Sequence, residues 1–375
     1  MKVEFYRHDV QPTDINNVVA VLNSLFLTTG DVVGEFEDKF SKYLGCKYTV
    51  GVTSCTAALH LALLSYGVGT GDEVITTPMT FISSANSIIY TGARPVFVDV
   101  EPQTGNIDAD LIEAAITPRT KTILPVHLHG QMCDMKRIRK IADKHGLVIV
   151  EDAAHAIEAV RDGVRPGKLG EAACFSFYAT KNITSGEGGA IGTNNAGIAE
   201  MLKKLRLHGM SKGAAERYSK KYEHWDMEML GWKYNMSNIQ AAMLIGQLDR
   251  IEKNRERREF ICQMYQEAFK NNPQISLLQI VPGSRSARHM FTIQAAPEKR
   301  DKVMWEIQKK GVGVAVNFRA IHLLSYYRET FGYKRGAFPV AERIGDSTIT
   351  LPLYPGLTDG EIEYVIKTVN EATAK

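Results

Sequence analysis

Between residues 48 and 177, short β-branched runs alternate with helical patterns, and this alternation constrains the chain more than any other feature of its 375 residues. Runs suited to strands occupy 48–52, 73–77, 95–98, 122–126, 147–151 and 173–177, and stretches with helical spacing lie between them at 53–66, 83–90, 108–116 and 135–145. Two more helical patterns, 14–24 and 35–44, precede the first strand on either side of the turn residues Thr28-Thr29-Gly30-Asp31. Parallel strands cannot be joined by a tight turn and need a crossover, so the spacing predicts an α/β fold built on a mostly parallel sheet flanked by helices. After Gly231 the texture changes. The segment 236–265 is long, charged and free of proline, as one helix or two nearly collinear ones would be. It is followed by a strand pattern at 289–295, a helix at 299–309, an extended run at 312–318, a strand at 347–353 and a final helix at 359–372. We therefore expect a large domain over 1–235, with an N-terminal arm, and a smaller α+β domain over 236–375 entered through the long helix.

Composition excludes several classes. With 44% hydrophobic residues and a formal charge of +3, the chain can bury a full core and lacks the signature of disorder. Basic and acidic residues are interleaved, which argues against nucleic acid as the main partner. Apolar runs such as 147–150 are strand-sized and too short for a bilayer, and the opening MKVEFYRHDV has no apolar signal core. The expectation is a cytoplasmic protein. Five cysteines (Cys46, Cys55, Cys133, Cys174, Cys262), an odd number without a C-x-x-C pair, suit a reducing compartment and exclude a disulfide framework or zinc ribbon. His127 and His129 share a strand face with no visible acidic or thiol partner, so they carry no metal-ligand pattern.

Four local features can carry chemistry, and each also has a plain structural explanation. Thr53-Ser54-Cys55-Thr56-Ala57-Ala58-Leu59 opens an Ala/Leu helix with small hydroxyl residues: an N-cap, or equally an anion site made of free N–H groups and the positive helix end. In Leu147-Val148-Ile149-Val150-Glu151-Asp152-Ala153-Ala154-His155, a buried strand ends in carboxylates where open α/β sheets gather ligands; a solvated strand end reads the same. The strand at 173–177 leads through Tyr178-Ala179-Thr180-Lys181-Asn182 into Ser185-Gly186-Glu187-Gly188-Gly189. Lys181 is an ordinary surface charge unless it is lodged among apolar residues, where a lowered pKa allows a Schiff base. Gly231-Trp232-Lys233-Tyr234-Asn235-Met236-Ser237 is either a capped entry to the long helix or a loop whose asparagine reaches a neighbouring subunit.

Taken together and in this order, these features resemble the fold type I pyridoxal-phosphate enzymes and, more closely, the DegT/DnrJ/StrS sugar aminotransferases. The resemblance spans the whole chain and includes Gly71-Asp72-Glu73-Val74-Ile75, Pro78-Met79-Thr80-Phe81, Pro95-Val96-Phe97-Val98-Asp99 and Pro125-Val126-His127. It implies a large three-layer domain and a smaller C-terminal one, with pyridoxal 5'-phosphate as cofactor and its pyridoxamine form as the amino carrier. Lys181 matches the lysine that forms the Schiff base, and Asp152 the carboxylate paired with the pyridinium nitrogen. Phe81 matches the aromatic residue stacked on the ring, and His155 the residue near its phenolic oxygen. Ser54, Cys55 and Thr56 fall in the phosphate turn, where many relatives carry glycine or alanine in place of Cys55. Ser176 adds a hydroxyl, and Asn235 resembles the residue donated by the second subunit of a homodimer.

The implied reaction moves an amino group from L-glutamate to a keto-sugar nucleotide. Val316-Asn317-Phe318-Arg319-Ala320-Ile321-His322 with Tyr326-Tyr327-Arg328 resembles the branch that aminates C4 of UDP-linked 4-keto sugars for cell-surface glycans such as lipopolysaccharide. Arg319, His322, Tyr326 and, in the early turn, Thr29 would then contact the substrate. A 3-keto sugar nucleotide and a non-catalytic regulatory role remain as alternatives. Dehydrating relatives carry histidine at the Schiff-base position, and Lys181 argues against that chemistry.

Overall fold

The structure, a computed structural model, describes residues 1–212 and 224–374. Seven strands form the larger sheet: β1 (Tyr48–Val52), β2 (Glu73–Thr76), β3 (Arg94–Phe97), β4 (Thr120–Ile123), β5 (Val148–Asp152), β6 (Ala172–Ser176) and β7 (Gly189–Thr193). Their order is β1-β7-β6-β5-β4-β2-β3. Only β7 runs against its neighbours, β1 and β6; the other pairings are parallel. Every residue of β2, β6 and β7 is buried, so these strands lack the alternation of a half-exposed sheet. That explains why β7 escaped the sequence reading. Its Gly-Ala-Ile-Gly-Thr is short of the branched residues that mark strands, and the glycines before it suggest only a turn.

Helices α1 (Pro12–Leu22), α2 (Asp31–Leu44), α3 (Cys55–Ser65), α4 (Ile82–Tyr90), α5 (Ala109–Ile112), α6 (Met135–His145) and α7 (Ala196–Leu205) accompany this sheet. On one side, Phe36 and Phe40 of α2 pack edge-on against Phe175 and Phe177 at ring separations of 5.1–5.5 Å. On the other, α3 is buried on all sides, from Ala57 to Leu63, among Val50, Val52, Val74 and Val150. Burial there fixes the position of the helix start, which matters for the site.

The long charged stretch is two helices, α8 (Asn238–Asp249) and α9 (Ile251–Phe269), broken at Arg250. The Arg250 guanidinium bonds Asp9 and Asp14, tying the break to the N-terminal arm and to α1. A smaller antiparallel sheet follows, β10-β9-β8, from β8 (Ser276–Leu277), β9 (Phe291–Gln294) and β10 (Thr348–Leu351). It packs with α9, α10 (Pro297–Lys309) and α13 (Asp359–Thr373), whereas α11 (Ser325–Phe331) and α12 (Pro339–Ser347), absent from the sequence pattern, fill the connection from β9 to β10. The first residues of the chain return to this smaller core, with Val3 bridging Val312. Among the described residues no helix is long and apolar enough to cross a membrane.

Candidate active site

The residues singled out for chemistry converge where the parallel strands end. Ser54 follows β1, Phe81 closes the loop after β2, Asp152 ends β5 with His155 just beyond, and Ser176 ends β6 on the way to Lys181. An open α/β sheet presents its ligand crevice at this edge.

At the start of α3, the Ser54 hydroxyl accepts from the Ala57 N–H at 3.1 Å. This is an ordinary N-cap, and it leaves the first-turn N–H groups of Cys55 and Thr56 without helical acceptors at the positive end of the helix. Gly189 allows β7 to pass directly against this turn. A Cβ there would lie 2.4 Å from the Ser54 carbonyl carbon and 2.6 Å from the Cys55 nitrogen. The Cys55 thiol is buried, and burial beside Asp152 keeps it protonated.

Asp152 is buried, with Oδ2 accepting from Ser84 Oγ at 2.7 Å and Oδ1 from the Ala154 N–H at 3.1 Å. Burial raises its pKa, only partly opposed by those donors and by Lys181 and His127. Lys181 is lowered from the usual lysine range to about 8, chiefly by burial, with Cys55 and Asp152 pulling the other way. A buried carboxylate and a partly buried amine so poised are unusual in a structural role.

Two histidines, His155 and His289, lie by the lysine, and His129 backs onto His155. His155 accepts the His129 N–H on Nδ1 at 3.3 Å, so its own proton sits on Nε2. Its ring lies 4.4 Å from that of His289 and 5.9 Å from that of Phe318. His129 bonds the Asn317 carbonyl through Nε2 at 2.9 Å. Burial presses all three below the usual histidine pKa, His129 to about 4, and they are neutral at physiological pH. Phe81 is 54% exposed and, among the described residues, touches one aromatic ring, that of Phe318, at 5.8 Å.

Pyridoxal 5'-phosphate fits this donor set. Its phosphate matches the free N–H groups of Cys55 and Thr56 and the hydroxyls of Ser54, Thr56 and Ser176. A protonated ring nitrogen is the cation a buried Asp152 lacks, the Nε2–H of His155 suits a phenolic oxygen, and the exposed Phe81 offers a face for a ring. Residues 8–370 match the family of DegT/DnrJ/EryC1/StrS aminotransferases. The chain belongs to that family. It is a pyridoxal-phosphate-dependent aminotransferase of fold type I. The spore coat polysaccharide biosynthesis protein SpsC of Bacillus subtilis is 42% identical over 364 residues, covering 96% of this chain and 94% of SpsC. Among solved structures, the pyridoxamine-phosphate form of the putative sugar aminotransferase Spr1654 from Streptococcus pneumoniae superposes with a TM-score of 0.94 at 32% identity, over 100% of this chain and 99% of that one. PseC of Helicobacter pylori, an aminotransferase involved in pseudoaminic acid biosynthesis, gives 0.94 at 27% identity over the whole of both chains.

The residues expected at the substrate separate. Arg319 directly follows Phe318 and lines an open, arginine-rich pocket with Arg328 and Arg335. Tyr326 is exposed on α11, its ring against Tyr327 and Phe331. His322 is no surface contact: it is fully buried, with Nε2 bound to Glu342 at 2.9 Å and its ring on Phe338. Thr29 and Asn235 meet each other instead. Asn235 Nδ2 donates to Thr29 Oγ1 at 2.7 Å, and the Asn235 backbone pairs with Val52 at the end of β1. His127, read as unpartnered, bonds Glu151 at 2.8 Å within the core, past the end of β4 and off any strand. Sequence reasoning missed Ser84, His289, Asn182 and Phe318. Ser84 lies one turn beyond Phe81, but nothing in the sequence links it to Asp152.

Proposed function

We propose that the enzyme transfers the amino group of L-glutamate to C4 of a UDP-linked 4-keto sugar, supplying an amino sugar for a cell-surface glycan. The observation that carries the reading is the partly buried Lys181, its pKa lowered to about 8, with the buried Asp152 carboxylate and the open start of α3. The part of SpsC in spore coat polysaccharide biosynthesis, of PseC in pseudoaminic acid biosynthesis, and the likeness to the putative sugar aminotransferase Spr1654 support a sugar as amino acceptor. Preference for UDP and for C4 rests on the 316–328 segment.

When bound, the cofactor supplies an aldehyde and an electron-withdrawing ring. The α3 N-terminus, with Ser54, Cys55, Thr56 and Ser176, anchors the phosphate, and Phe81 covers a ring face. Asp152 holds a proton on the ring nitrogen, and His155 Nε2–H donates to the phenolic oxygen. Lys181 would hold the cofactor through its aldehyde, and its free Nζ would accept the substrate Cα proton and redeliver it to the cofactor carbon on the far side of the nitrogen. With a pKa near 8, that amine is partly neutral at physiological pH and able to accept it. Asn235 reaches the phosphate of a second subunit in a homodimer, with Thr29 beside it.

The test is a panel of UDP- and dTDP-linked 4-keto and 3-keto sugars with L-glutamate, products read by mass and NMR. A UDP-4-amino sugar is the expected product; a 3-amino product would move the assignment to the 3-keto branch. Lys181→Ala should lose both the cofactor–lysine absorbance and turnover. If that variant still transaminates, the reading is wrong. An active monomer in sedimentation would refute the role of Asn235.

A further inference from the structure

Behind Lys181 lies a hydrogen-bonded chain that none of the assigned roles uses. Arg258 on α9, 2% exposed, donates to Glu158 Oε1 at 2.6 Å. Glu158, fully buried, accepts from Asn182 Nδ2 with both oxygens, at 3.0 and 2.9 Å. Asn182 Nδ2 also faces the Ala287 carbonyl at 3.1 Å. Asn182 Oδ1 lies 3.1 Å from His289 Nδ1, and His289 Nε2 lies 3.5 Å from Lys181 Nζ.

The donors and acceptors in this chain permit one assignment. The carboxylate and the carbonyl only accept, so the Asn182 atom facing them is the amide nitrogen, and its other atom is the carbonyl oxygen. That oxygen cannot donate, so His289 carries its proton on Nδ1. A neutral ring protonated at Nδ1 has its lone pair on Nε2, directed at the lysine. Adding a second proton would set a cation against Lys181, with Arg258 and His129 also close, and burial together with those neighbours keeps His289 well below the usual histidine range. Lys181 is therefore the donor in this contact, in its neutral or its charged form. The separation of 3.5 Å is long for a hydrogen bond, as such contacts are before a ligand tightens the site.

We infer that His289 is a positioning residue: locked in the Nδ1–H tautomer by Asn182, Glu158 and Arg258, it receives an N–H of the Lys181 amine and so holds that amine in place when it is free of the cofactor. The inference rests on Lys181 acting as proposed above. Around the lysine the other titratable or charged groups are Asp152, Cys55 and His155, with Tyr6, Arg7, His8, Asp9, Arg258 and Tyr354 lining the same cavity, and around His289 they are Arg258 and His129. None of these supplies a neutral acceptor bonded to Nζ.

His289→Asn and His289→Gln test the idea, because asparagine can keep the bond to Asn182 but has no atom at the Nε2 position, whereas glutamine can place an acceptor there. Apo full-length protein is treated with formaldehyde and cyanoborohydride across a pH series, and methylation of Lys181 is followed by peptide mass spectrometry. In the unaltered protein the midpoint should fall near 8. Losing an acceptor that favours the ammonium should lower it by about one pH unit in His289→Asn. In the holoenzyme the same variant should lose about tenfold in kcat with KM for L-glutamate within about twofold, as an amine left unheld would. His289→Gln should recover both. Where asparagine prevents folding, His289→Phe fills the same volume without a polar atom and asks the same question. An unchanged Lys181 midpoint and kcat in the folded Asn or Phe variant overturns the inference. Equal loss in His289→Gln and His289→Asn also overturns it. Either result leaves the proposed function intact if Lys181→Ala is inactive, whereas an active Lys181→Ala removes both.

Discussion

Asp152→Asn separates the chemical role of this carboxylate from any structural one. The replacement changes one oxygen to an NH2 group of the same size. Its remaining oxygen can keep the Ala154 N–H bond at 3.1 Å, and the new NH2 faces Ser84 Oγ at 2.7 Å. Ser84 Oγ also sits 2.7 Å from Thr80 Oγ1, where either hydroxyl can donate. Ser84 can therefore turn its proton to Thr80 and accept from the amide, and the network survives the exchange. Electrostatics then sets the sign for the apo protein. Burial raises the Asp152 pKa in the fold, so the native state binds more protons than the unfolded chain between the two values. Stability consequently falls as pH rises through that window and stays reduced above it. An amide has no such penalty. Apo Asp152→Asn should melt no lower than the parent at pH 7–8, with a flatter pH dependence on the acid side.

The loaded enzyme should behave in the opposite way. A neutral amide cannot hold the ring-nitrogen proton, so charge developing during proton transfer loses its preorganised partner. Losing one such partner in a buried site costs about 3–4 kcal/mol, or roughly 10²–10³ in rate. The assays are thermal melting of the apo form and single-turnover reaction of the holoenzyme with saturating L-glutamate. Transamination within threefold of the parent would refute the role of Asp152. A clear drop in apo melting temperature would mean that the carboxylate belongs to the fold.

Gly189→Ala drives a methyl into the Ser54–Cys55 backbone, so it should cost about 1–3 kcal/mol and weaken cofactor binding; melting and fluorescence titration with the cofactor measure the two effects. Arg258→Met leaves Glu158 buried without its cation and should lower stability by about 3–5 kcal/mol in urea titrations, and a change under 1 kcal/mol would show the pair to be dispensable. Phe81→Ala removes a half-exposed ring whose one aromatic contact among the described residues is Phe318, so it should change stability by less than about 1 kcal/mol while raising the cofactor dissociation constant severalfold.

Half of this site is local in sequence. Asp152 and His155 adjoin an apolar run that reads as a buried strand, and Ser54–Thr56 adjoin a helix too uniformly apolar to be a surface element. Lys181 lies five residues past a strand end. Each of these sits beside the pattern that announces it. Other parts of the fold lack such a marker. β7 is a buried strand composed largely of glycine and small residues. The break at Arg250 is imposed by Asp9 and Asp14, more than two hundred residues away. His127 looked unpartnered because its acid, Glu151, lies on the neighbouring strand, a relation created by sheet order alone.

The other half of the site comes from the smaller core and from its connections. His289 precedes β9, Phe318 lies in the extended run before α11, and Arg258 sits mid-way along α9. His289 and Arg258 stand in no motif and Phe318 is only a bystander in the 316–322 segment, because each is selected by what it meets: a lysine amine, a buried carboxylate, or a histidine and a phenylalanine ring. This division has a mechanistic consequence. On the proposed mechanism the strand ends of the larger sheet would supply the groups that bind and polarise the cofactor, while His289 and Phe318 lie against Lys181 and His155 from the smaller unit. Asn182, the residue after the lysine, bonds Glu158 within the larger unit, and its Oδ1 meets His289 of the smaller one. The His289–Asn182 bond is thus where a residue just ahead of β9 meets the loop that carries Lys181.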